Sequence, residues 1–279
     1  MKPCDESIVK ISIEAVRILQ IITSTKNQFV KEARSLSQKK FRIETGLFLV
    51  EGINLIKDMP SSVRVKYVLA TPSRESEVEA IFFSDEKERQ EKAMQSVAFT
   101  RAQVYYVSDE VMAYVADTVS PYGICAVCEI PKSEFRMPTS NALLLDGVSD
   151  PGNLGTIFRT AAACDFCDIY LLDTADIYSP KVVRATLGGL FKVRATVITL
   201  DEAIDLMRCT NSAILDMNGI NILTNKAVSP VLFVAGNEAH GVRAELRKEA
   251  KIAYSLPMKN DIESLNVAVA TAVAMYQTI

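Results

Sequence analysis

Three short stretches of the sequence hold side chains that could do chemistry, and each sits where an apolar run meets glycine and polar residues. The first, Asp146 to Ala161, carries Asn153, whose amide can donate and accept at once, and Arg159 six residues later, a permanent cation with a planar fork of donors. Gly152 and Gly155 permit tight backbone geometry around them. The second, Leu232 to Val242, holds Glu238 and the chain's only histidine, His240. A histidine beside a glycine invites a general-base reading, but no Asp or Ser partner is evident and a triad is not supported. The third, Leu256 to Ala270, contains Asp261, Ser264 and Asn266 ahead of an apolar segment, and Asp261 or Ser264 could simply cap a helix there. No GxGxxG accompanies these stretches, so the fingerprint of a nicotinamide-dependent oxidoreductase is missing.

The elements that must position these residues are strands followed by helices. Asn141 to Val148 is a continuous apolar run ending in Asp-Gly, as expected of a parallel strand buried on both faces. Beyond it, strand-like segments at 168–173, 193–200, 212–219 and 231–238 alternate with helical spacing at 181–192, 201–208 and from about Ser264. Such alternation predicts a parallel sheet covered by helices, which binds ligands at the carboxyl ends of its strands. Upstream, the spacing predicts a helix over 27–36, strands over 46–52, 65–72, 102–109 and 123–130, and a solvated helix from Ser84 to Lys92. Helix-like intervals also run over 12–22. Prolines 131 and 138 bracket an exposed connector. The expected organisation is a lead-in over 1–22, an α/β domain over 23–131, a linker over 132–140 and a second α/β domain over 141–279.

With 279 residues, 49% apolar and 23% charged, the chain has the composition of a globular protein and not of a disordered, collagenous or coiled-coil one. The formal net charge of −3 advertises no polyanion partner. The average hides a contrast, because Lys26 to Lys66 holds nine Lys/Arg against four acids, a local +5. That stretch, with Lys26, Lys31, Arg34, Lys39, Lys40 and Arg42 at its head, reads either as a solvated face or as a phosphate-contacting patch. Six cysteines are too few for a disulfide framework. Cys125/Cys128 and Cys164/Cys167 have zinc-like CxxC spacing, but the pairs lack turn glycines, so burial as thiols is expected and no metal. The apolar run at 267–276 is too short to span a membrane, and Asp5 and Glu6 stand where a secretory signal would be basic. A cytoplasmic protein is expected.

Taken together, in this order and spacing, the three stretches resemble the motifs of the SpoU (TrmH-type) family of SPOUT RNA methyltransferases. The segment from Lys26 to Ile56, with KNQFVKEARSL and FLVEGINLI, looks like that family's small ribosomal-protein-like RNA-binding domain. The resemblance implies transfer of a methyl group from S-adenosylmethionine to a ribose 2′-hydroxyl of structured RNA. It implies a SPOUT-type parallel sheet with a deep C-terminal trefoil knot, a rare exception to unknotted topology, and a homodimer packed through the last helix. Carried over residue by residue, it makes Asn153, Arg159, Glu238, Ser264 and Asn266 catalytic. Gly236, Leu256 and Leu265 become the cofactor contacts. Asn260 and Ala268 depart from residues frequent in the family, and Asn tolerates the left-handed backbone that the loop needs. The added N-terminal domain favours ribosomal over transfer RNA, and an RNA-binding protein with lapsed catalysis is the alternative from another class.

Overall fold

The computed structural model describes residues 20–82, 103–116, 118, 120–260 and 264–279. The helix expected at Ser84 to Lys92, most of the 12–22 segment and Asp261 lie outside them. The described part forms two sheets. The first contains β1 (Ile21–Ile22), β2 (Leu47–Glu51), β3 (Val65–Ala70), β4 (Gln103–Val107) and β5 (Ile124–Glu129), in the order β1-β4-β3-β5-β2. Ile21 and Ile22 pair in parallel with Tyr106 and Val107, so the end of the expected lead-in is strand and not helix. Helices α1 (Gln28–Ser35), α2 (Lys39–Thr45), α3 (Ile53–Lys57), α4 (Glu75–Phe82) and α5 (Asp109–Val115) accompany this sheet. Asn27 starts α1, its side chain accepting from the Phe29 N–H.

The second sheet is six-stranded and wholly parallel, in the order β11-β9-β10-β6-β7-β8. Its strands are β6 (Ala142–Asp146), β7 (Asp168–Leu172), β8 (Arg194–Val197), β9 (Ser212–Asn221), β10 (Leu232–Ala235) and β11 (Ile252–Ser255). Helices α6 (Pro151–Ala163), α7 (Pro180–Ala185), α8 (Leu200–Cys209), α9 (Ala244–Glu249) and α10 (Val267–Tyr276) cover it. The apolar runs are continuous because both faces are buried. Leu143, Leu145 and Phe233 enter one core, while Leu144, Leu232 and Val234 enter another. The first of these cores also takes Phe48, Val50 and Val68 from the other sheet, so the two sheets share buried apolar surface. Each fully buried Leu or Phe contributes about 1.5–3 kcal/mol. The helix expected over 181–192 stops at Ala185, because Leu187 and Gly188 take positive φ values of 46° and 88°.

Ionic and ring contacts fasten the two parts. Arg42 is buried and bonds Asp176 through Nε (2.8 Å) and Nη2 (2.6 Å) and the Leu36 carbonyl through Nη1. Arg184 meets the buried Glu51 at 3.1 Å, and the rings of Phe48 and Tyr178 lie 5.0 Å apart. The connector is held as well, since the Tyr170 hydroxyl donates to the Arg136 carbonyl and Phe135 meets the Tyr170 ring edge-on. Cys125, Cys128 and Cys164 are buried as expected, and Cys167 is exposed, donating to Asp165. Desolvation raises the pKa of Cys125 and Cys128, which keeps them thiols.

Candidate active site

β6 and β10 are parallel neighbours, so the loops leaving their carboxyl ends emerge side by side. Asn237, at the start of the second loop, donates through Nδ2 to the Gly147 carbonyl of the first at 2.8 Å, and its Oδ1 accepts from Ala239 and His240 N–H groups. Gly236 precedes it at a point where a Cβ would fall 2.1 Å from the Gly241 carbonyl carbon, so only glycine lets the loop fold back on itself. At the root of both loops Asp146 is buried. It accepts from the Arg243 backbone N–H (2.8 Å) and from Nε (2.6 Å), while Nη2 of Arg243 reaches Asp173.

The first loop becomes helix earlier than the glycines suggest. Asp150 is the N-cap of α6, its carboxylate accepting from the Asn153 N–H, and Pro151 occupies the first turn. Asn153 therefore sits in the first turn and Arg159 two turns on. Gly155 faces α7, where a Cβ would lie 2.3 Å from the Ala185 Cβ.

Three of the five expected catalytic residues join in one chain. Asn153 Nδ2 donates to Glu238 Oε1 at 2.9 Å, and Asn266 Nδ2 donates to Asn153 Oδ1 at 2.8 Å. Glu238 also accepts from the N–H and hydroxyl of Ser149 and from the Asp150 N–H. Partial burial pushes the Glu238 carboxyl up, but the bonds from Asn153, Asp150 and Ser149 outweigh it and the pKa is lowered. Asn266 also starts α10, its Oδ1 accepting from the Ala268 and Val269 N–H groups, so the cap is Asn266 and not Ser264. Ser264 and Arg159 are exposed, and neither side chain forms a hydrogen bond or ion pair among the described residues. Arg159 lies six residues beyond Asn153 on α6 and is outside this chain of bonds. His240 is exposed on the same loop, and its ring is outside the chain of bonds.

Of the expected cofactor contacts, Gly236 is buried, Leu256 packs partly buried against the core and Leu265 is 41% exposed. Asn260 has φ 58°, the left-handed conformation anticipated for it. Among the expected RNA contacts, Lys26, Lys31, Lys39 and Lys40 are exposed, and Arg34 lies over the Tyr114 ring at 5.6 Å. Arg42 must be withdrawn from that group, because its guanidinium is buried and spent on Asp176 and Leu36. A cavity of about 470 Å³, bordered by Phe48, Lys132, Tyr178 and Arg194 among others, opens between the sheets. None of Asn153, Glu238 and Asn266 lines it.

Residues missed in the sequence are Asp146, Ser149, Asp150, Asn237 and Arg243. The Asp-Pro pair at 150–151 was the available signal for a helix start. The Asp146–Arg243 pair spans 97 positions and leaves no local trace.

A parallel sheet with a hydrogen-bonded polar frame at its strand ends has the layout of an α/β enzyme. Residues 140–276 match the model of the SpoU rRNA Methylase family, and residues 27–126 match that of the MRM3-like substrate binding domain. The chain is 31% identical over 259 residues to the 23S rRNA (guanosine(2553)-2′-O)-methyltransferase RlmP of Bacillus subtilis, covering 91% of this chain and 97% of that one. It is 27% identical to the 23S rRNA (uridine(2479)-2′-O)-methyltransferase of Streptomyces viridochromogenes, covering 92% and 91%. The crystal structure of an AdoMet-bound rRNA methyltransferase from Sinorhizobium meliloti superposes with a TM-score of 0.77 at 28% identity, covering 93% of this chain and 97% of that one. The chain belongs to the SpoU rRNA methylase family.

Proposed function

We propose that the protein transfers the methyl group of S-adenosylmethionine to a ribose 2′-hydroxyl of ribosomal RNA. The observation that carries this reading is the Glu238–Asn153–Asn266 chain at the strand ends, with Arg159 exposed on the same helix as Asn153 and without a side-chain partner among the described residues. When bound, S-adenosylmethionine supplies an electrophilic methyl group. The turn at Gly236 is packed too closely for side chains, so main-chain groups there, with Leu256 and Leu265, would hold an adenosine by backbone and apolar contacts. A ribose hydroxyl is a poor nucleophile, and this chain's task is to orient it and to ease the departure of its proton. A charged guanidinium has no acceptor nitrogen, so Arg159 is not the base in that form. It binds the phosphate beside the target ribose and stabilises negative charge developing on the hydroxyl oxygen. The frame fixes the first turn of α6 and with it the approach to Arg159.

The domain division follows the same reading, with RNA taken up by residues 23–131, a linker at 132–140 and methyl transfer by 141–279. The C-terminal segment would pass through a loop as a trefoil knot, supported by the Asn266–Asn153 bond and by α10 lying against α6 and β10. Leu265, Val269 and Tyr276 leave apolar surface exposed at and near α10, which supports a homodimer packed there. Light scattering is expected to give twice the chain mass; an active monomer would refute the dimer. No described helix is long and apolar enough to cross a membrane. A cytoplasmic site of action fits an enzyme of ribosomal RNA.

The test is incubation with methyl-labelled S-adenosylmethionine and total RNA, followed by mapping of the labelled ribose. Label is expected in large-subunit ribosomal RNA and at one 2′-oxygen. Transfer to transfer RNA alone would overturn the substrate, and no label in any fraction would overturn the activity.

A further inference from the structure

The loop from Asp173 to Ser179 leaves the carboxyl end of β7 and makes three contacts within four residues, each to a different part of the machinery. Asp173 accepts from Arg243 Nη2 (2.8 Å) at the end of the Glu238 loop. The Ala175 N–H donates to the Val148 carbonyl (3.0 Å) in the Asn153 loop. Asp176 accepts two hydrogen bonds from Arg42 on α2, the helix that exposes Lys39 and Lys40. Its other carboxylate oxygen accepts from the Tyr178 N–H (2.9 Å), which fixes the carboxylate plane toward Arg42. The Arg42 side chain is 4% exposed and that of Asp176 17%, so the pair is a geometric connection shielded from salt and not a surface ion pair.

We infer that Arg42 and Asp176 are positioning residues for the methylation. Through the 173–179 loop they set the angle between the cationic helix that grips RNA and the loops that carry Asn153 and Glu238. The inference rests on the methyltransferase reading. It follows from the reach of the parts: Lys39 and Lys40 can hold a phosphate, but a ribose is delivered to Arg159 only if α2 is fixed relative to α6. The sequence separation of 134 positions between Arg42 and Asp176 makes the bond a tertiary strut instead of a local turn. Misplacing a reacting atom by about 1 Å costs on the order of 100-fold in rate, so such a strut controls turnover more than binding.

Full-length protein is compared with Asp176→Asn, Arg42→Lys and the double variant Arg42→Met/Asp176→Leu. The double variant removes both charges together, and apolar replacement of a buried pair is commonly tolerated by the fold. The Arg184–Glu51 pair and the Phe48–Tyr178 contact keep the parts docked. Single-turnover methyl transfer at saturating ribosomal RNA is expected to fall at least tenfold in the double variant. RNA affinity and S-adenosylmethionine affinity should stay within threefold of the unsubstituted protein, and Arg42→Lys should recover part of the rate. Single-turnover rates within threefold in a folded double variant would overturn the inference. So would a loss of rate matched by an equal loss of RNA affinity. Absence of transfer by the unsubstituted protein would instead overturn the functional reading on which the inference rests.

Discussion

Asn266 is asked to do two things with one amide. Its oxygen caps α10, and its nitrogen donates to Asn153, whose own nitrogen must face Glu238 because a carboxylate only accepts. The two tasks separate by substitution. Asn266→Asp keeps an equally good cap but sets an oxygen against the Asn153 oxygen, so thermal stability should hold while methyl transfer falls about 100-fold. Asn266→Ala should lose both, with about 1 kcal/mol of stability gone in a urea melt. Equal activity in Asn266→Asp and the unsubstituted protein would mean that the chain of bonds is not used in the reaction. Glu238 makes a related prediction about pH. Its carboxyl is lowered in the fold, so its stabilising effect is complete above the ordinary value of 4.5 and disappears as pH falls through the lower folded value. Urea melts from about pH 6 to about pH 3 should show that loss only at the acid end, and Glu238→Gln should remove this component.

At the scale of elements, α6 and α7 approach through Gly155, which has no room for another carbon. Gly155→Ala would press a Cβ to within 2.3 Å of the Ala185 Cβ and 2.8 Å of its carbonyl carbon. The helices must part, at a cost of about 1–3 kcal/mol in chemical denaturation, and adding Ala185→Gly should recover only part of it because the backbone contact remains. The helix contacts legible in the sequence are those written as apolar periodicity. The buried strands β6, β7 and β10 announce themselves as unbroken apolar runs, and α8 by its alternation with them. By contrast, α2 buries only Arg42, and α9 only Leu246, so neither carries an apolar face to read. α5 was open to reading, since Ser108 caps it and Asp109 and Glu110 fill its first turn. The same division runs through the site. Asn153, Glu238 and Asn266 are legible in the order of their motifs, whereas the Asp146–Arg243–Asp173 bracket depends on strand order, which no local pattern encodes.

For the whole molecule, the net charge of −3 conceals a cationic stretch whose members have different tasks. Lys39 and Lys40 are exposed on α2, although Lys40 also lies 3.8 Å from Glu44. Lys66 is held by Glu32 at 2.8 Å and Arg42 by Asp176, so for them a phosphate would have to displace an existing partner. Contacts with phosphate release counterions, and the salt dependence of affinity counts them, while a cation already paired within the protein contributes little to that count. Lys39→Ala should therefore reduce the slope of log affinity for a ribosomal RNA fragment against log salt by about 1, and weaken binding to unrelated structured RNA by a similar factor. Lys40→Ala should do the same to a smaller degree, because Glu44 competes for it. Lys66→Ala should leave the slope close to that of the unsubstituted protein. Filter binding across a salt series measures all three, and a slope unchanged in Lys39→Ala would move the RNA off α2, taking with it the reason for bracing that helix against the catalytic loops.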